Sequence, residues 1–101
     1  MEVYIDYEGR SLVFRLIGEL DEHSAEFVRR RLDASIAESS FDAVIFDLSR
    51  LSFMDSTGVG VIIGRYKLIR KQSKPVYVRN PSSTVDKIFA MSGLYEIISK
   101  I

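Results

Sequence analysis

Val3, Ile5 and Tyr7 alternate with Tyr4 and Asp6, a period of two that predicts a short strand at the start of the chain. Glu8-Gly9-Arg10 reads as a tight turn, and 12–18 as a second strand. Leu12, Phe14 and Leu16 share one face of that strand; Val13, Arg15 and Ile17 share the other, and Arg15 marks it as the wetter one. So short a turn makes the two strands an antiparallel hairpin.

The period then changes. Ala25, Val28, Leu32 and Ile36 form one apolar stripe at helical spacing, predicting a helix over 22–39 with Asp21 as its N-cap. Residues 43–48 (AVIFDL) are almost continuously apolar, the pattern of a strand buried on both faces. A second helix is predicted over 57–71 from the repeat of Val59, Ile62, Ile63, Tyr66 and Ile69. Residues 72–75 break the chain, and 76–78 form another strand. Ser82 or Ser83 caps a third helix that runs to Ser92, with Val85, Ile88 and Phe89 inward. Gly93 stands where a left-handed C-terminal cap belongs, and 94–98 reads as a final edge strand. The order β-β-α-β-α-β-α-β is that of an α/β fold, a mostly parallel sheet with a short antiparallel first strand.

Composition narrows the function. At 101 residues the chain fits one domain over 1–101, too small to add a deep cofactor cavity to its core. It has no cysteine, which removes disulfides, thiolate metal sites and cysteine nucleophiles and fits a cytoplasmic location. The single His23 has no histidine partner at metal-ligand spacing, so no metal and no cofactor are expected; His23 reads as a surface residue of the first helix. Fourteen basic and fourteen acidic side chains cancel, which argues against nucleic acid or an anionic membrane as partner. Arg29, Arg30 and Arg31 lie off the apolar stripe and read as a solvated helix face.

The informative stretch is 51–66, LSFMDSTGVGVIIGRY, which passes from a buried strand into a helix. It sets Asp55-Ser56-Thr57-Gly58 at a helix N-terminus, where unpaired N–H groups and the helix dipole favour negative charge. A phosphate on Ser56 would meet those donors. Gly58 and Gly60 leave the first turn bare, although each sacrifices about 1 kcal/mol of helix propensity relative to Ala. From spacing alone, Ser56 as a simple N-cap and the glycines as packing devices is the more economical reading. Phe53 reads as core and Met54 as an exposed apolar contact. The glycines miss the G-x-G-x-x-G spacing by one residue, and no acidic residue follows the 76–78 strand, so a dinucleotide site is not expected.

Three blocks carry a resemblance: Gly18-Glu19-Leu20-Asp21, the run from Leu51 through Asp55-Ser56-Thr57-Gly58 to Val61, and Met91-Ser92-Gly93-Leu94. Together they resemble the anti-sigma-factor antagonists of the STAS type, in particular the sporulation type, over nearly the whole chain. The resemblance implies a STAS domain and a phosphorylated serine directly after the aspartate, which is Ser56. It implies a partner that is both anti-sigma factor and serine kinase, bound by the unphosphorylated form and released by the phosphorylated one, and a serine phosphatase that resets the switch. Asp21, Met54, Asp55, Ser56, Thr57, Gly58 and Gly60 are the implied partner-binding positions. Thr57 stands where some members have a second serine, as a weaker rival acceptor.

Two other functional classes lack part of their chemistry in this chain. A serine-nucleophile enzyme would need a base at Ser56, and His23 is the lone imidazole; G-x-S-x-G is absent. A receiver-like domain would use Asp47 or Asp55 as phosphoacceptor, with Glu19 and Asp21 holding a cation, but no lysine follows the 76–78 strand in the expected place.

Overall fold

One long strand organises the molecule. In this computed structural model, which describes residues 1–101, Ser11–Leu20 (β2) pairs antiparallel with Glu2–Glu8 (β1) and parallel with Ala43–Asp47 (β3). Opposition of Glu8 and Ser11 leaves a two-residue loop, Gly9-Arg10, in which Gly9 takes φ +60°, as a type II′ hairpin requires. Beyond β3 the sheet continues in parallel through Val76–Arg79 (β5) to the two-residue Ser99–Lys100 (β6). The expected mostly parallel sheet with an antiparallel first strand is therefore present, in the order β1-β2-β3-β5-β6.

A further strand, Leu51–Met54 (β4), was not legible as one. It pairs with the far half of β2, beyond a register shift between Gly18 and Glu19. Gly18 takes φ +116° there, a conformation that side-chain-bearing residues rarely adopt.

Three helices supply the other half of the core: Ala25–Glu38 (α1), Ser56–Lys71 (α2) and Ser83–Ser92 (α3). Val28, Leu32, Ile36, Val61, Ile62, Ile69, Val85 and Phe89 join Leu12, Phe14, Leu16, Val44, Phe46 and Val78 in one buried cluster. Phe14 and Phe46 meet edge to face at 5.5 Å, the arrangement that ring quadrupoles prefer. The opposite face of the sheet carries a lattice of charges: Arg79 bonds Glu8 and Asp47 at 2.8 and 3.0 Å, and Arg15 pairs with Asp6 and Glu8. One buried cation lies between helices, where Arg65 on α2 reaches Asp33 on α1 at 2.8 Å.

Two boundaries differ from expectation. The first helix starts at Ala25 rather than 22, because Asp21–Ser24 closes on itself as a turn; the Ala25 and Ser24 N–H groups both donate to the Asp21 carbonyl. The predicted strand over 94–98 is instead a 3₁₀ turn, Leu94–Glu96, ahead of β6. Leu94 and Ile98 are both buried, four residues apart, and the Ile98 N–H donates to the Leu94 carbonyl; that is helical, not strand, periodicity. Gly93, left-handed at φ +81°, ends α3 as expected, and Ser82 is the residue that caps it.

Candidate regulatory site

The parallel pairing of β2 with β4 brings two loops side by side, the Asp21–Ser24 turn and the start of α2. Leu20 lies opposite Met54, and the Asp55 N–H donates to the Leu20 carbonyl at 3.3 Å. The Ser52 hydroxyl donates to the Gly18 carbonyl at 3.0 Å, and the Gly18 N–H donates to Arg50 at 3.1 Å. Strand ends that are cross-tied in this way set the helix N-terminus at a fixed place.

Asp55, not Ser56, caps α2. Its backbone is extended, and its Oδ1 accepts the Gly58 N–H at 2.9 Å. Ser56 is thereby the first helical residue, exposed beside exposed Thr57. The other carboxylate oxygen of Asp55 accepts the Glu22 N–H at 3.2 Å, a bond that crosses to the neighbouring turn.

Asp21 does not cap α1, as its N-cap position is taken by Ser24. Instead Asp21 Oδ1 accepts the N–H groups of His23 at 3.0 Å and Ser24 at 3.1 Å, folding the turn around its own carboxylate. Burial pushes the Asp21 carboxyl up, but these backbone donors outweigh it and hold the group below its ordinary 3.8. His23 is exposed in this turn rather than on the helix.

The two residues ahead of Asp55 exchange their expected places. Met54 is 1% exposed and belongs to the core, whereas Phe53 is 41% exposed. The strand is irregular: Leu51 and Met54 point inward while Ser52 and Phe53 both point outward, so simple alternation assigns the wrong face. Met54 thus offers little surface to a partner. The glycines separate likewise. A Cβ on Gly58 would stand 2.2 Å from the Leu20 carbonyl oxygen and 2.9 Å from Met54 Cβ, so Gly58 is buried and packs. Gly60 has nothing within 4 Å of such an atom and stays open to an approaching molecule. A shallow groove beside Ser56 is lined chiefly by Val59, Ile88 and Met91, with Met91 88% exposed. The sequence blocks included Met91 without pointing to this groove.

The remaining candidates are engaged elsewhere. Asp47 accepts bonds from Arg79 and from the Ser49 hydroxyl at 2.9 Å, which stabilises a structural carboxylate rather than a free phosphoacceptor. Arg29 and Arg30 pair with Glu26, and Arg31 reaches the Val3 carbonyl, in keeping with a solvated face. No helix is long and apolar enough to cross a membrane.

Known proteins share this fold and part of this sequence. The STAS domain family model matches residues 4–101. An anti-sigma F factor antagonist of Paenibacillus polymyxa is 36% identical over 98 residues, which are 97% of this chain and 84% of that protein. An anti-sigma-B factor antagonist of Bacillus subtilis is 37% identical over 98 residues, 97% of this chain and 88% of that one. The solved structure of the anti-sigma factor antagonist SpoIIAA in its unphosphorylated form superposes with a TM-score of 0.83 at 35% identity, covering 99% of this chain and 88% of the other. The Bacillus cell fate determinant SpoIIAA in its phosphorylated form superposes with a TM-score of 0.75 at 34% identity, covering 99% of this chain and 91% of the other. With its Asp-Ser-Thr-Gly junction at the head of α2 and a STAS fold throughout, the chain belongs to the STAS-domain anti-sigma-factor antagonists.

Proposed function

We propose that this antagonist is switched by a single phosphate on Ser56. Unphosphorylated, it binds an anti-sigma factor that is also a serine kinase, using Asp21, Ser56, Thr57, Gly60 and the adjoining groove, with Asp55 between them, and so frees the sigma factor. Phosphorylation by that kinase turns it off, and a serine phosphatase restores it. The chain thus acts in the cytoplasm as a positive regulator of sigma-dependent transcription, with sporulation as the programme.

One observation carries the reading. Asp55 takes over the capping of α2, which leaves the Ser56 hydroxyl exposed at the first helical residue, where a kinase can reach it. Phosphorylation adds about −1.5 to −2 charges at that spot. The helix dipole and the free first-turn N–H groups tolerate the dianion within the fold. Pressed into a protein interface, the same dianion brings desolvation and repulsion. The switch is therefore local: it changes what can dock and leaves the fold in place. A relative solved in both phosphorylation states supports this chemistry on the same scaffold.

The test uses the cognate anti-sigma factor kinase from the same organism. With ATP, mass spectrometry should find one phosphate, on Ser56, and none on Ser56→Ala. By calorimetry, wild type and Ser56→Ala should bind, while Ser56→Asp and the phosphoprotein bind at least about tenfold more weakly. Equal affinity for all four, or a phosphate on Thr57 in place of Ser56, refutes the reading.

A further inference from the structure

We infer that Asp55 is a positioning residue that joins two separate loops into one docking surface. This rests on the docking role proposed above for the face around Ser56.

The geometry is specific. Asp55 spends one carboxylate oxygen on the Gly58 N–H inside its own helix, at 2.9 Å. The other oxygen accepts the Glu22 N–H at 3.2 Å, from a loop 33 residues earlier. The Asp21–Ser24 turn is otherwise tied to itself and to β2. Asp21 accepts from His23 and Ser24, and the Ser24 hydroxyl donates to the Glu19 carbonyl at 2.8 Å. The turn is thus a small preformed unit, and Asp55 is the side chain that fastens it to the head of α2. Gly58 allows the join, because its missing Cβ lets the Leu20 carbonyl lie against the first helical turn. A partner that reads Asp21 and Ser56 together meets them already in register and does not have to order the turn on binding.

Cap and bridge can be separated. Asn and Ser cap helices about as well as Asp. Neither reproduces the bridge: Asn has a single acceptor oxygen and would turn its NH₂ toward the Glu22 N–H, and Ser is too short to serve both loops. Asp55→Asn and Asp55→Ser should therefore melt within a few degrees of wild type and still accept phosphate on Ser56.

Three measurements on the full chain test the assignment. Hydrogen exchange of the Glu22 amide in the free protein should speed up in both variants. Affinity for the cognate anti-sigma factor kinase should fall roughly tenfold, from one lost charge-assisted bond and a turn that must be ordered. The KM for phosphorylation should rise by about the same factor with kcat within about twofold, because the hydroxyl itself is untouched. A merely structural Asp55 would lower melting temperature and leave KM alone. Faster Glu22 exchange with unchanged affinity and KM overturns the inference, as does unchanged exchange. If wild type itself neither binds the kinase nor takes phosphate, the proposed function has failed and this inference with it. If wild type binds and both variants bind equally well, only the inference has failed.

Discussion

Three glycines in one helix should respond oppositely to the same substitution. Gly58, Gly60 and Gly64 all lie within α2, so Ala at any of them gains about 1 kcal/mol of helix propensity. At Gly60 and Gly64 nothing stands within 4 Å of the new Cβ, and the gain survives. At Gly58 the new atom would lie 2.2 Å from the Leu20 carbonyl oxygen and 2.9 Å from Met54 Cβ. The first is a backbone atom of β2, held by the sheet, so relief requires α2 to move off the strand. Overpacking of this kind costs about 1–3 kcal/mol, and a rigid backbone neighbour argues for the upper end. The net for Gly58→Ala is a loss of about 2 kcal/mol, which in a domain of this size lowers Tm by roughly 8–16 °C. Gly60→Ala and Gly64→Ala should each be more stable than wild type by about 0.5–1 kcal/mol. Urea denaturation with a common m-value gives the three numbers. A Gly58→Ala protein as stable as wild type, or a Gly60→Ala protein as damaged as Gly58→Ala, would show that the close approach of α2 to β2 is not what selects glycine there.

Two further outcomes are expected. Met54→Ala should lose about 2–4 kcal/mol by opening a cavity in the core, whereas Phe53→Ala, on the outward face, should stay within about 1 kcal/mol; thermal melts of the pair report which of them is core. Acid should weaken the fold through the charged face of the sheet. The Arg79 guanidinium holds the Glu8 carboxyl below its ordinary 4.5; burial pushes Asp47 up, but Ser49 and Arg79 outweigh it and keep it below 3.8. Depressed folded values mean stability that is complete above about pH 5 and lost as pH falls through those values. Arg79→Met should therefore flatten the loss between pH 5 and about pH 2 in urea titrations, and a wild-type acid limb in that variant would rule the lattice out as its source.

Periodicity carried most of the scaffold. The α1 stripe, the apolar β3 run and the Gly93 cap all follow from local spacing, and all are present; the face marked by Arg15 carries charge but buries Val13 completely. What escaped depends on contacts distant in sequence. The four residues of β4 have too little alternation to declare a strand, and their pairing rests on a register shift at Gly18 that no window contains. The same irregularity exchanged Phe53 and Met54. Nothing local marks Arg65 as buried; its place between helices rests on Asp33 of α1. At the site, the Asp-Ser-Thr-Gly spelling marks a strand-to-helix junction, and the stretch does pass from β4 into α2. The division of labour in which Asp55 caps and bridges while Ser56 stands free required the meeting of two loops.

Strand β2 serves two ladders end to end, first with β3 and then, past the kink at Gly18, with β4. The end that carries Asp21 and Ser56 is thus an overhang projecting from a finished platform. Its outward side chains, such as Phe53, lie apart from the pairings of β1, β3 and β5, whereas Leu20, Leu51 and Met54 remain in the shared core. Copies of such a domain can in this way drift toward different partners while sharing one chassis, as befits a chain that stands 36% and 37% identical to antagonists named for two different sigma systems.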